Sequence, residues 1–197
     1  LWDKWLILKI VCEDGTIGIG EGGVHGWQKP TKTAIDTMGE YLIGKDPYLI
    51  EHHYQFLYRS SHFMGSVIQG ALSAIDIALW DIKGKRLNAP IWDLLGGKVR
   101  NKVRAIAQGV NGKTPDEFAE KVNTLKEKGF TAVKFTPMPF DWPKYTYSKL
   151  MDVSANIVKA VRNKVGVDFD IAIEINRNMR PHEAIVFCNE IEKYKPY

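Results

Sequence analysis

Two residues of this chain could do chemistry together: Lys134 and Glu174. Glu174 stands near the end of a short apolar run, Phe169-Asp170-Ile171-Ala172-Ile173-Glu174-Ile175-Asn176. Lys134 closes the run before it, Ala132-Val133-Lys134. A helical stretch separates the two runs, and strands joined in that way lie parallel. Both side chains should then reach the same mouth of one sheet. A carboxylate ligates a hard cation through oxygen, and a fixed ammonium offsets developing negative charge. The pair points to metal-assisted chemistry on a carboxylate substrate.

The elements that must position this pair are legible from periodicity. Residues 4–12 read as a strand, and Glu13-Asp14-Gly15-Thr16 as a hairpin turn, because Asp-Gly tolerates the positive φ such turns need. Ile17 to Glu21 is the return strand, where Gly18 and Gly20 signal close backbone packing or a bulge. A Gly-rich loop follows, from Gly22 to Trp27. From about Pro30 to Lys85 the period is helical. Ala71, Ile75, Ala78, Leu79 and Ile82 mark the buried stripe of one long helix, ended at Gly84 or at Asn88-Ala89-Pro90.

After Gly96-Gly97 strands and helices alternate. Val103 to Ala107 reads as a strand. Thr114-Pro115-Asp116-Glu117 is a capping box with proline at the first helical position. That helix has Phe118, Val122 and Leu125 on its apolar face and stops at Gly129. Thr131 to Lys134 is the next strand, Leu150, Val153, Ile157 and Val161 mark a second helix, and the strand ending at Glu174 follows. Ile185, Cys188 and Ile191 give a third helix its face. Three βα units imply a parallel sheet, yet a barrel needs eight. No Gly-x-Gly-x-x-Gly follows the first strand, which leaves a dinucleotide fold little support.

Bulk properties narrow the classes. The 197 residues are 45% hydrophobic and 25% charged, enough for a sizeable core. The net charge of +4 is scattered rather than clustered, so no nucleic-acid partner is expected. No run of about 18 apolar residues exists, and no membrane partner is expected either. Cys12 and Cys188 are far apart and read as reduced and buried, which suits a cytoplasmic protein. The chain lacks an initiator Met and opens inside a strand-like run, so a processed or truncated N-terminus is expected.

Several segments carry a resemblance. Ala71-Leu72-Ser73-Ala74-Ile75-Asp76-Ile77-Ala78-Leu79-Trp80-Asp81-Ile82-Lys83-Gly84-Lys85 is similar to the cap helix of the enolase superfamily's mandelate racemase branch. So is the following Ala89-Pro90-Ile91-Trp92-Asp93-Leu94-Leu95-Gly96-Gly97-Lys98-Val99-Arg100. Gly129 to Lys134 resembles that branch's second barrel strand, and Asp170 to Asn176 its third. The nearest likeness is to sugar-acid dehydratases of the galactonate and gluconate type. The implied fold is an α+β capping domain, residues 1–98, followed over 99–197 by part of a (β/α) TIM-type barrel with about three βα units.

The resemblance also implies a mechanism. Mg2+ would bind the substrate carboxylate, and α-proton removal would give an enediolate. Glu174 matches the first of three metal ligands; the other two would lie beyond Tyr197, so the resemblance implies an N-terminal fragment. Lys134 matches the first lysine of a Lys-x-Lys pair, but the base position holds Thr136, left as a substrate contact. Proton abstraction would fall to a later histidine. Asn176 stands where dehydratases often carry an acidic histidine and where racemases of the branch can have asparagine; by itself it also reads as a loop cap. His25 and Trp27 lie in one cap loop implied to cover the barrel mouth, and His62 in a second, with ordinary loop packing the other reading. His52 and His53 read as helix surface, and His182 has no motif. The expected activity is Mg2+-dependent dehydration of an aldonic acid, with racemisation or epimerisation of an α-hydroxy acid, or a non-catalytic fragment, as alternatives. Exposed strand edges favour a homo-oligomer.

Overall fold

The computed structural model describes residues 5–197, which divide into two compact units between Asn101 and Lys102. In the first unit, β1 (Ile7–Val11) and β2 (Ile17–Glu21) form an antiparallel hairpin. Lys4, the expected start of β1, lies outside the described residues; within them pairing begins at Ile7. Gly15 takes φ 82°, and the Asp14 carboxylate accepts the Thr16 N–H at 2.9 Å. Four helices follow: α1 (Gln28–Leu42), α2 (Ile50–Arg59), α3 (Ser66–Leu87) and the short α4 (Ile91–Leu94).

The hairpin lies against α3. Of the two readings of Gly18 and Gly20, the register supports close packing, since it runs without a shift from Ile7–Glu21 to Val11–Ile17. A Cβ at Gly20 would come within 1.9 Å of the Ala74 carbonyl oxygen, and one at Gly18 within 2.1 Å of that of Ala78. The free edge of β2 is also occupied. The Ile19 N–H donates to the Asp81 carboxylate at 2.9 Å, and Lys85, paired with Asp81, donates to the Ile17 carbonyl at 2.7 Å. The expected stripe of α3, Ala71 to Ile82, is buried throughout. The helix runs through Gly84 and stops at Asn88, which takes a left-handed conformation at φ 49°.

His53 corrects an expectation. It is 2% exposed, not surface, because α2 turns Ile50, His53 and Leu57 inward on one face. Its ring contacts the Asp46 carbonyl at 2.7 Å and the Tyr41 hydroxyl at 3.2 Å, which supplies partners for a buried imidazole.

The second unit is a parallel sheet in the order β3 (Ala107–Val110), β4 (Ala132–Phe135), β5 (Asp170–Ile173), with α5 (Pro115–Glu127), α6 (Tyr147–Val165) and α7 (Pro181–Ile191). The core joins Val133, Phe135 and Ile171 to Phe118 and Val122 of α5 and Ile157 and Val161 of α6. The α5 cap forms as expected at Thr114, whose hydroxyl accepts the Glu117 N–H at 3.2 Å. The return bond goes to the Lys113 N–H rather than to Thr114 itself.

Four expectations need correcting here. The first strand of this sheet is 107–110, not 103–107. Residues 103–106 form an exposed arm because Arg104 reaches across to Thr131 and Asp170, at the N-terminal ends of β4 and β5. The strand expected to end at Glu174 stops at Ile173, and Glu174 adds one more ladder bond, from its N–H to the Phe135 carbonyl. The buried stripe of α7 is Phe187 and Ile191, flanked by Ala184, while Ile185 and Cys188 are exposed. The wide Phe187 ring takes the inward position, and on a helix the neighbouring residue then points about 100° away. The two cysteines are therefore not both buried: Cys188 is exposed and Cys12 half-buried, and both are free thiols.

Candidate active site

The site is built from β4 and β5. Their register sets Lys134 beside Ala172 and Phe135 beside Ile173. Side chains alternate along a strand, so Ala172 and Glu174 project to the face that carries Lys134, and Thr136 falls on the same side. The result is an ion pair: Lys134 Nζ stands 3.4 Å from Glu174 Oε2. Glu174 Oε1 accepts the Asn176 N–H at 2.8 Å. Thr136 is half-buried, and its carbonyl accepts the Met138 N–H.

Electrostatics keep Glu174 anionic. The Asn176 N–H does most to hold its carboxyl below the usual carboxylate range; the Lys134 ammonium and the charge of Arg177 add to the effect. About two-fifths of each side chain of the Lys134–Glu174 pair is exposed, so both can meet a ligand. Apolar residues support the site from behind. Met138, Trp142 and Tyr145 of the segment after β4 pack with Ile173, Ile175 and Met179 around Leu150, Val158 and Phe187.

The structure thus brings Lys134, Thr136, Glu174 and Asn176 to one end of one sheet. The expected substrate contacts lie in the first unit. His25 and Trp27 are exposed in the loop before α1, where the Trp27 carbonyl accepts from Thr31. His62 is exposed in the turn before α3. Val24 of the first loop packs on Gly70 in α3, so both loops gather at the N-terminal end of that helix. His182 sits in the first turn of α7. Arg177 escaped the sequence reading, since nothing in its neighbours signals a positive φ at a non-glycine residue. A cleft of about 770 Å3 in the first unit, walled by β1, the end of α1 and α2, contains none of the candidate residues.

As a metal site the arrangement is partial. Glu174, ionised and accessible, fits as one hard oxygen ligand. Among the described residues no three His, Cys, Asp or Glu side chains gather to hold an ion.

The comparisons with known proteins agree with this architecture. Residues 3–96 match the mandelate racemase / muconate lactonizing enzyme N-terminal domain, and residues 117–197 match the enolase C-terminal domain-like model. The chain belongs to the mandelate racemase branch of the enolase superfamily. Its fold is accordingly the branch's capping domain followed by part of an enolase-type barrel. A D-galactonate dehydratase from Klebsiella pneumoniae (strain 342) is 36% identical over 194 residues, covering 98% of this chain and 50% of that one. Among solved structures, the 3,6-anhydro-D-galactonate cycloisomerase from Zobellia galactanivorans is 33% identical with a TM-score of 0.84, over 98% of this chain and 52% of that one. A member of the enolase superfamily from Salmonella Typhimurium is 26% identical with a TM-score of 0.91, over 97% and 55%. The chain spans about half the length of the curated relatives it matches.

Proposed function

We propose that the chain contributes the cap and the first part of the active site to a Mg2+-dependent dehydratase of a sugar acid. The observation that carries this reading is the Lys134–Glu174 pair closing adjacent parallel strands, in a family that includes a D-galactonate dehydratase. When bound, Mg2+ would supply positive charge to the substrate carboxylate. Glu174 is the residue of this chain that would hold it. Lys134 binds the same carboxylate and offsets the charge that builds up as the α-proton leaves and an enediolate forms. A threonine hydroxyl is too weak a base to take that proton at neutral pH, so Thr136 serves as a substrate contact and the base lies elsewhere in the whole protein. The cap is residues 1–98, in which His25, Trp27 and His62 are substrate contacts, and the barrel segment is residues 99–197. A cytoplasmic homo-oligomer completes the proposal.

Asn176 supports a second reading. An amide can hold a departing hydroxyl by hydrogen bonding but has no proton of suitable acidity to give it. That favours racemisation or epimerisation of an α-hydroxy acid, which needs no leaving group. One experiment separates the readings. The full-length protein is incubated with Mg2+ and D-galactonate in deuterated water, and both elimination product and exchange at the α-carbon are followed. Elimination supports the dehydratase. Exchange without elimination supports the racemase, and neither would leave a non-catalytic role.

A further inference from the structure

Just past Glu174, two consecutive residues hold a backbone conformation that favours glycine: Asn176 at φ 45° and Arg177 at φ 63°. Asparagine visits this region readily. For arginine it crowds Cβ against the following carbonyl oxygen. Several contacts keep the turn from relaxing. The Asn176 N–H is held by Glu174 Oε1, and the Asn178 N–H donates to the Ile175 carbonyl at 2.8 Å. Met179 closes the turn as a buried side chain packed with the apolar residues behind the site. Strain retained in this way is a pointer to function, and it falls on Arg177, three residues past Glu174.

That side chain is uncommitted. Arg177 is exposed, and among the described residues it makes no hydrogen bond or ion pair, whereas Lys134 is already paired with Glu174. Its charge is nonetheless felt by the Glu174 carboxyl. A guanidinium presents a planar fork of donors that matches a carboxylate, a geometry an ammonium lacks. Resting on the sugar-acid reading above, we infer that Arg177 is a further substrate-binding residue, whose guanidinium shares the substrate carboxylate with Lys134. An arginine that is only solvated there would have no kinetic signature.

The test is D-galactonate turnover by the full-length protein, comparing wild type with Arg177→Asn and Arg177→Lys. Asparagine tolerates the left-handed turn, so the Arg177→Asn urea midpoint should match or exceed that of wild type. Its KM should rise about tenfold or more, the scale of one charge-assisted hydrogen bond, while kcat changes little. The dependence of kcat/KM on ionic strength should also weaken, and Arg177→Lys should recover part of the loss. An unchanged KM in folded Arg177→Asn overturns the inference. If that variant fails to fold, an unchanged KM in Arg177→Lys overturns it instead. A wild type that turns over no sugar acid sinks the proposed function and this inference together; an active wild type with an indifferent Arg177 sinks the inference alone.

Discussion

Glu174 is a surface-accessible carboxylate with both oxygens engaged, one by a backbone N–H and one by an ammonium. Glu174→Gln keeps the shape and removes the charge a metal needs. In the full-length protein it should abolish Mg2+-dependent turnover while far-UV circular dichroism stays unchanged. Activity within about tenfold of wild type, a loss of only about 1.4 kcal/mol in transition-state stabilisation, would show that Glu174 is not a primary ligand. The lowered Glu174 pKa also has a pH signature. Above the ordinary glutamate value of about 4.3, folded and unfolded chains both carry the charge and the stabilisation is complete. As pH falls below that value the unfolded chain takes up its proton first, and stability drops until the lower folded value is passed. Urea midpoints of the 197-residue chain should therefore fall more steeply with acid than those of Glu174→Gln. Parallel profiles would refute the assignment. Lys134 is expected to aid binding and charge stabilisation without being the sole base. Lys134→Ala should lose about 10²–10³-fold in turnover and retain residual α-proton exchange in deuterated water. Complete loss of exchange with wild-type substrate affinity would make Lys134 the base.

At the scale of elements, positions are set by how closely backbones approach. The β2 strand lies on α3 with no room for a side chain at Gly20, where the nearest obstacle is the Ala74 carbonyl, a backbone atom that cannot swing aside. Gly20→Ala should destabilise the chain by about 1–3 kcal/mol, as overpacking does. The drop should show in thermal unfolding, whereas Gly39→Ala, inside α1 with open space around its Cβ, should be neutral or slightly stabilising. Equal midpoints for wild type and Gly20→Ala would mean that the hairpin can lift from α3. In the second unit, the β4–β5 register does comparable work. A one-residue slip would turn Glu174 to the opposite face of the sheet from Lys134.

For the whole molecule, the decisive fact is that the described residues offer one candidate metal carboxylate and no cluster of three ligands. The 197-residue chain alone should show no Mg2+-dependent dehydration of D-galactonate, because one carboxylate cannot hold Mg2+ in a near-octahedral site. Measurable elimination by the purified chain would overturn that expectation. The sequence by itself determined the order of elements, the α3 stripe, the α5 cap and the parallel sheet, since these follow from local periodicity and local hydrogen bonding. It also determined that Lys134 and Glu174 would share a sheet end, because strand–helix–strand connectivity and a period of two leave little choice. Only the tertiary structure decided that residues 103–106 stay outside the sheet, through the reach of Arg104 to Thr131 and Asp170. It alone decided that His53 is buried and that Phe187 rather than Cys188 faces the core. It also decided that Asn176 and Arg177 turn left-handed beside Glu174. Each of these depends on partners distant in sequence or on backbone angles enforced by packing, and residue type and spacing along the chain carry neither.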